Sequence, residues 1–181
     1  MLRNTALNLR FVLLTYVLYA RDDEYAFALS CLHLTSFKYK TYRQVCVEMK
    51  KHIQVAAALL FENGKVFATK RGDSPYSYVA HKYEFPGGKI EQNERGEDAV
   101  KRELQEELCL QVKVGNLYAS HTHEYPDFII TLWLYECERL SDFTLNEHES
   151  YTWFSPKDLD ENEWAPADAD IIQNLKRVFG E

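Results

Sequence analysis

Asn63-Gly64 stands between two strand-length apolar runs, Ile53 to Phe61 and Lys65-Val66-Phe67-Ala68-Thr69. Both central residues of a tight hairpin turn need positive φ, which Asn and Gly accept, so this dipeptide predicts a β-hairpin. A hairpin commits the chain to a sheet, and later segments must extend and cover it. Tyr83 to Phe85 predicts a short strand stopped by Pro86-Gly87-Gly88. A helix is predicted over 96–108, where Val100, Leu104 and Leu108 recur at four-residue spacing. Glu97–Lys101 and Asp98–Arg102 are favourable i,i+4 pairs on that helix, acid first. Strands are predicted at 111–122, 127–138 and 150–154. The second is nearly all apolar from Asp127 to Tyr135, as a central strand is. A last helix over 168–179 places Ile171, Ile172, Leu175, Val178 and Phe179 on one face. This order of elements is an α+β pattern, an α/β/α sandwich.

The 181 residues suffice for one ordinary domain with a short appendage. A formal net charge of −7 argues against a nucleic-acid-wrapping or membrane-coating protein. No run of 18 apolar residues exists, so no transmembrane helix is indicated. Phe11 to Ala20 follows a basic start, but Leu18 and the acidic Asp22-Asp23-Glu24 make a poor signal-cleavage site. Cys31, Cys46, Cys109 and Cys137 are scattered without a Cys-x-x-Cys pair, which points away from disulfides and zinc knuckles and toward a reducing cytoplasm. Residues 1–48 hold no Gly or Pro and carry +2, leaving −9 on the remainder. We expect two parts: a 1–48 extension and a 49–181 domain. The extension reads as an over-long start upstream of Met49 or, alternatively, as a helix plus strand packed on the domain; the first reading is preferred.

On the predicted helix, Glu103, Glu106 and Glu107 stand at i, i+3 and i+4, which puts three carboxylates on one face. Adjacent carboxylates repel and raise one another's pKa. Such a cluster has a plain reading as a solvated face. Here the opposite face is core and a Gly-Gly loop precedes the helix. Hard oxygen ligands beside an exposed backbone suit Mg²⁺, which prefers carboxylates, water and substrate phosphates.

Gly88, five residues, Glu94, seven residues, then Arg102-Glu103-Leu104-Gln105-Glu106-Glu107-Leu108-Cys109-Leu110 resembles the Nudix box, G-x5-E-x7-R-E-U-x-E-E-x-G-U. Every specified position but one matches. The exception is Cys109, where the family usually carries Gly to end the helix in a left-handed conformation. Residues 52 to 179 resemble the MutT-like branch of Nudix hydrolases, through Glu84-Phe85-Pro86-Gly87-Gly88, Tyr125-Pro126-Asp127 and Ala165-Pro166-Ala167-Asp168.

The resemblance implies a Nudix fold with a mixed central sheet between helices. It implies Mg²⁺-dependent hydrolysis (Mn²⁺ substituting) of nucleoside triphosphates, including oxidised or modified ones, to monophosphate and pyrophosphate. Glu103, Glu106, Glu107 and the Gly87 carbonyl would hold metal, and Glu147 would serve as a further ligand or base. Arg102 would orient the box carboxylates, Glu94 would play a structural part, and Arg71 would contact phosphate. Phe85 and Phe128 would flank the base unless they are simply core. Asp168 lies where MutT-type enzymes carry a base-reading Asn; its alternative is a helix N-cap. His121 and His123 alternate with Tyr125 on one strand face, better suited to structural or substrate-facing roles than to zinc. The expected partner is a small-molecule nucleotide, without nucleic acid or membrane, for a monomer or homodimer in the cytoplasm. The rivals are a hydrolase of a diphosphate-linked substrate such as ADP-ribose, for which the same box serves, and a non-catalytic Nudix-fold binding module.

Overall fold

A computed structural model describes residues 50–180. The readings made for the 1–48 extension lie outside the described residues. The hairpin forms as its turn residues require: β1 (Lys51–Glu62) and β2 (Lys65–Lys70) pair with Glu62 opposite Lys65. Asn63 and Gly64 take φ of 51° and 75°. After them come β3 (Tyr83–Glu84), β4 (Gly87–Lys89), α1 (Gly96–Leu108), β5 (Val112–Glu124), β6 (Phe128–Arg139), β7 (Ser150–Phe154) and α2 (Ala169–Phe179). Two 3₁₀ turns, Pro156–Asp158 and Glu161–Glu163, lead into α2.

The sheet is mixed. Its order is β3-β2-β1-β6-β5, with β4 also paired to β1 and β7 to β2. β1 and β6 run parallel over ten residue pairs, and the other pairings are antiparallel. Strand alternation splits β1 between two cores. Ala57 and Leu59 join Leu132, Leu134, Trp164, Ile172 and Leu175 beneath α2. Ala56, Ala58 and Leu60 join Val100, Leu104 and Leu108 beneath α1. The result is the α/β/α sandwich that the element order predicts.

Three local differences from the sequence reading have physical causes. Pro86-Gly87-Gly88 reads as a strand stop, but Gly87–Lys89 forms a strand laid antiparallel against β1, Ala56 opposite Gly88 and Ala57 opposite Gly87. Pro86 lacks an N–H but its carbonyl accepts from Ala58 N at 2.9 Å, so the proline anchors this approach. A Cβ on Gly87 would collide with the Ala56 carbonyl, so only glycine lets the two backbones come this close. Second, Cys109 supplies the left-handed helix end itself, at φ 48°, ψ 29°. Cys109 N donates to Gln105 O, the bond of an αL helix ending, and Leu110 N donates to Leu104 O. Third, the expected Asp98–Arg102 pair does not form. Arg102 turns the other way, and Asp98 meets Lys101 instead.

Candidate active site

The helix spacing of α1 delivers the three glutamates to one side, but at different depths. Side-chain exposure falls from 55% at Glu106 to 16% at Glu103 and 11% at Glu107. Glu107 sits a turn beyond Leu104 on the core-facing stripe, which is why it is buried. Arg102 holds the outer side of the group. Its guanidinium donates to both oxygens of Glu94 at 2.9 Å, to Glu103 Oε1 at 2.7 Å, to Glu106 Oε2 at 3.4 Å and to the Lys89 carbonyl at 3.0 Å. This fork brings Glu94 down to about 2, with help from the Glu91 N–H.

β4 forms the floor. Gly88 packs its backbone so closely on the Glu103 carboxylate that a Cβ there would overlap it. Gly87 N donates to Glu107 Oε2 at 3.2 Å. Burial pushes the Glu107 carboxyl up to about 7; Glu84 and Glu103 add repulsion, while His148 and the Gly87 N–H pull the other way. The site is thus short of positive charge at its centre. Among the described residues no three acidic, histidine or cysteine groups close on one point as a finished metal cage.

Glu84 and His148 were not singled out from the sequence. Glu84 leaves the end of β3 beside Arg71, whose Nε and Nη2 both donate to Glu84 Oε2, at 3.0 and 2.7 Å. The other oxygen of Glu84 lies 3.1 Å from His148 Nε2, and the same nitrogen is 3.9 Å from Glu107 Oε1. Burial opposes charge on His148, but the Glu84 bond and the fields of Glu107 and Glu84 raise its pKa. Nothing in local spacing marks this residue, since it meets Glu84 across 64 positions. The sole local hint is its place next to Glu147. Glu147 itself is exposed, on the loop between Asn146, which bonds the last turn of α1, and His148.

On the far side of Gly87-Gly88 a pocket of about 300 Å³ opens. Phe85 and Phe128 both line it, with Arg71, Glu84, Tyr76 and Asp168. Phe85 also packs on Trp164 in the core. Phe128 belongs to an aromatic group with Tyr76, Tyr78 and Tyr125; Tyr78 stacks on Tyr125 at 4.7 Å and bonds Asp127. Asp168 occupies the N-cap position of α2, but its side chain caps nothing. It is 5% exposed and turned into the pocket wall, where burial and Glu84 raise its pKa well above the ordinary value against the pull of Arg71. His121 lies 3.4 Å from Asp170, and His123 packs edge-on to Tyr125.

A buried glutamate on a helix, an arginine fork beside it and a two-glycine strand under it, next to an aromatic pocket, define a class. The NUDIX domain model matches residues 50–175, and the chain belongs to the Nudix family. It is 37% identical over 130 residues to an 8-oxo-dGTP diphosphatase of Escherichia coli, covering 71% of this chain and 99% of that protein. It is 36% identical over 127 residues to the CTP pyrophosphohydrolase of the same organism, covering 68% of this chain and 90% of the relative. The solved structure of the E. coli ORF135 protein superposes with a TM-score of 0.62 at 32% identity, over 71% of this chain and 91% of that one. Nudix hydrolases generally need a divalent metal. Among the described residues no helix is long and apolar enough to cross a membrane.

Proposed function

We infer that this chain is a MutT-like Nudix pyrophosphohydrolase, which hydrolyses (deoxy)nucleoside triphosphates, oxidised or modified ones included, to nucleoside monophosphate and pyrophosphate. The observation that carries the reading is adjacency. An aromatic pocket sized for a base and sugar meets the buried carboxylate of Glu107 across the Gly87-Gly88 strand. A triphosphate seated there runs from the pocket past Arg71 to the glutamates of α1.

The donor set fits Mg²⁺, since it offers hard oxygens and leaves the pocket side open for phosphate and water. Glu103, Glu106, Glu107 and the Gly87 carbonyl would hold the ion, and Glu147 would serve as a further ligand or as the base for the water's proton. When bound, Mg²⁺ offsets phosphate charge and acidifies the attacking water. Arg102 keeps Glu103 and Glu106 aligned while its bond to Glu94 prevents it from neutralising them alone. Arg71 contacts phosphate from its perch on Glu84. Phe85 and Phe128 flank the base, and stacking tolerates any base. Asp168 reads the base edge from the pocket wall, where burial raises its pKa well above the ordinary carboxyl value. The enzyme acts in the cytoplasmic nucleotide pool.

The test is purified protein with Mg²⁺ against CTP, dCTP, dGTP, 8-oxo-dGTP and ADP-ribose, with product analysis. Pyrophosphate with a nucleoside monophosphate is the expected result. Cleavage of ADP-ribose alone, leaving every triphosphate intact, would overturn it.

A further inference from the structure

We propose that His148 is a positioning residue of this site, an imidazole brace between Glu84 and Glu107 that fixes how Glu107 presents itself to a divalent cation. This deepens the functional reading and rests on Glu107 being a metal-holding carboxylate. Four observations carry it.

First, the side chain is 8% exposed, and its Nε2 faces the two most enclosed glutamates, 3.1 Å from Glu84 Oε1 and 3.9 Å from Glu107 Oε1. Second, those contacts complete the partners of both carboxylates. Glu84 has Arg71 on Oε2 and His148 on Oε1. Glu107 has the Gly87 N–H on Oε2 and His148 beside Oε1. Without the ring, Glu84 Oε1 and Glu107 Oε1 lose the nitrogen that both approach, and Glu107 keeps only the Gly87 N–H on its other oxygen.

Third, among the described residues the ring makes no other hydrogen bond or ion pair. His148 Nδ1 is buried and has no hydrogen-bond partner among the described residues. A histidine kept only for packing would be better satisfied or replaced by an apolar ring, so an unmet nitrogen here calls for a reason. Fourth, the loop that carries His148 is clamped from both sides. Thr144 N and Asn146 N bond the carbonyls of Leu108 and Glu107, and Asn146 Nδ2 bonds Glu106 O; Glu149 N bonds Lys70 O. The brace is therefore rigidly mounted on α1 and β2, and the exposed Glu147 rides on the same mount.

The experiment titrates the full chain with Mn²⁺ without nucleotide, following the free-ion EPR signal, and measures kcat and KM for the preferred triphosphate. His148→Phe keeps ring and volume but removes the contact. Outer partners of metal ligands are typically worth roughly ten- to hundredfold in affinity or activity. We expect Mn²⁺ affinity and kcat of His148→Phe to fall in that range, with KM moving less than about threefold. His148→Gln, whose amide reaches the same carboxylates, should recover part of both losses; His148→Asn, too short to do so, should not. Affinity and kcat within about twofold of wild type in His148→Phe would overturn the proposal. If His148→Phe fails to fold, equal Mn²⁺ affinity of the Gln and Asn variants would overturn it instead. Wild-type protein that cleaves no triphosphate would defeat the functional reading while the Mn²⁺ series still decides the brace.

Discussion

Glu107→Gln should make the metal-free protein more stable at neutral and alkaline pH while abolishing its turnover. The folded carboxyl titrates at about 7 against an ordinary 4.5, because burial penalises its charge. Below 4.5 the group is protonated in both folded and unfolded chains and costs nothing. Between 4.5 and 7 the unfolded chain ionises first, so stability falls as pH rises. Above 7 the full penalty is present. At about 1.4 kcal/mol per tenfold in proton affinity, the gap amounts to about 2–4 kcal/mol. Gln keeps the volume and still accepts from Gly87 N, but carries no charge, so it escapes the penalty. The assay is urea unfolding of both proteins in a chelator at pH 5 and pH 8. The variant should gain little at pH 5 and about 2 kcal/mol or more at pH 8, with the wild-type deficit narrowing when Mg²⁺ is added. Equal stability of the two proteins at pH 8 would refute the claim that Glu107 is held ionised at a cost.

Glu106→Gln, on the exposed side of α1, should cut pyrophosphate release by roughly a hundredfold or more while leaving the urea midpoint unchanged, because it loses a proposed metal ligand but no core contact. Asp168→Asn should change the ranking of bases by roughly tenfold or more in kcat/KM, since swapping a buried carboxyl for an amide alters hydrogen bonding worth about 1.5 kcal/mol; an identical ranking of CTP, dCTP, dGTP and 8-oxo-dGTP would exclude base reading. Cys109→Gly should raise stability by about 0.5–1 kcal/mol, because the left-handed backbone at φ 48° is strained for a residue with a Cβ; thermal melting without any upward shift would count against that strain.

What the sequence made legible was local. The hairpin turn shows in two residues, and the bounds of α1 show in the spacing of Val100, Leu104 and Leu108. The carboxylate face follows from the same helical spacing. The strand at Gly87–Lys89 was hidden because Pro-Gly-Gly carries the composition of a stop; what makes it a strand is the small Ala56 and Ala57 of β1 lying opposite. The depth of Glu107 was also hidden, since spacing sets a direction but not what covers it. Glu84 and His148 meet only through the pairing of β2 with β3 and β7. Asp168 has two readings in the sequence, base reader and helix cap; in the structure its side chain makes no cap bond to the helix end.

The parallel pairing of β1 with β6 also sets the order in which the domain can be built. Lys51 pairs beside Phe128 and Leu60 beside Cys137, so the sheet's central seam waits for a chain segment made long after β1. The β1–β2 and β5–β6 hairpins join neighbours and can close early, whereas the seam must first meet the entropy of a long loop. During synthesis β1 therefore emerges with its apolar face and one edge unpaired until β6 follows, and this interval is when the nascent chain is most open to aggregation.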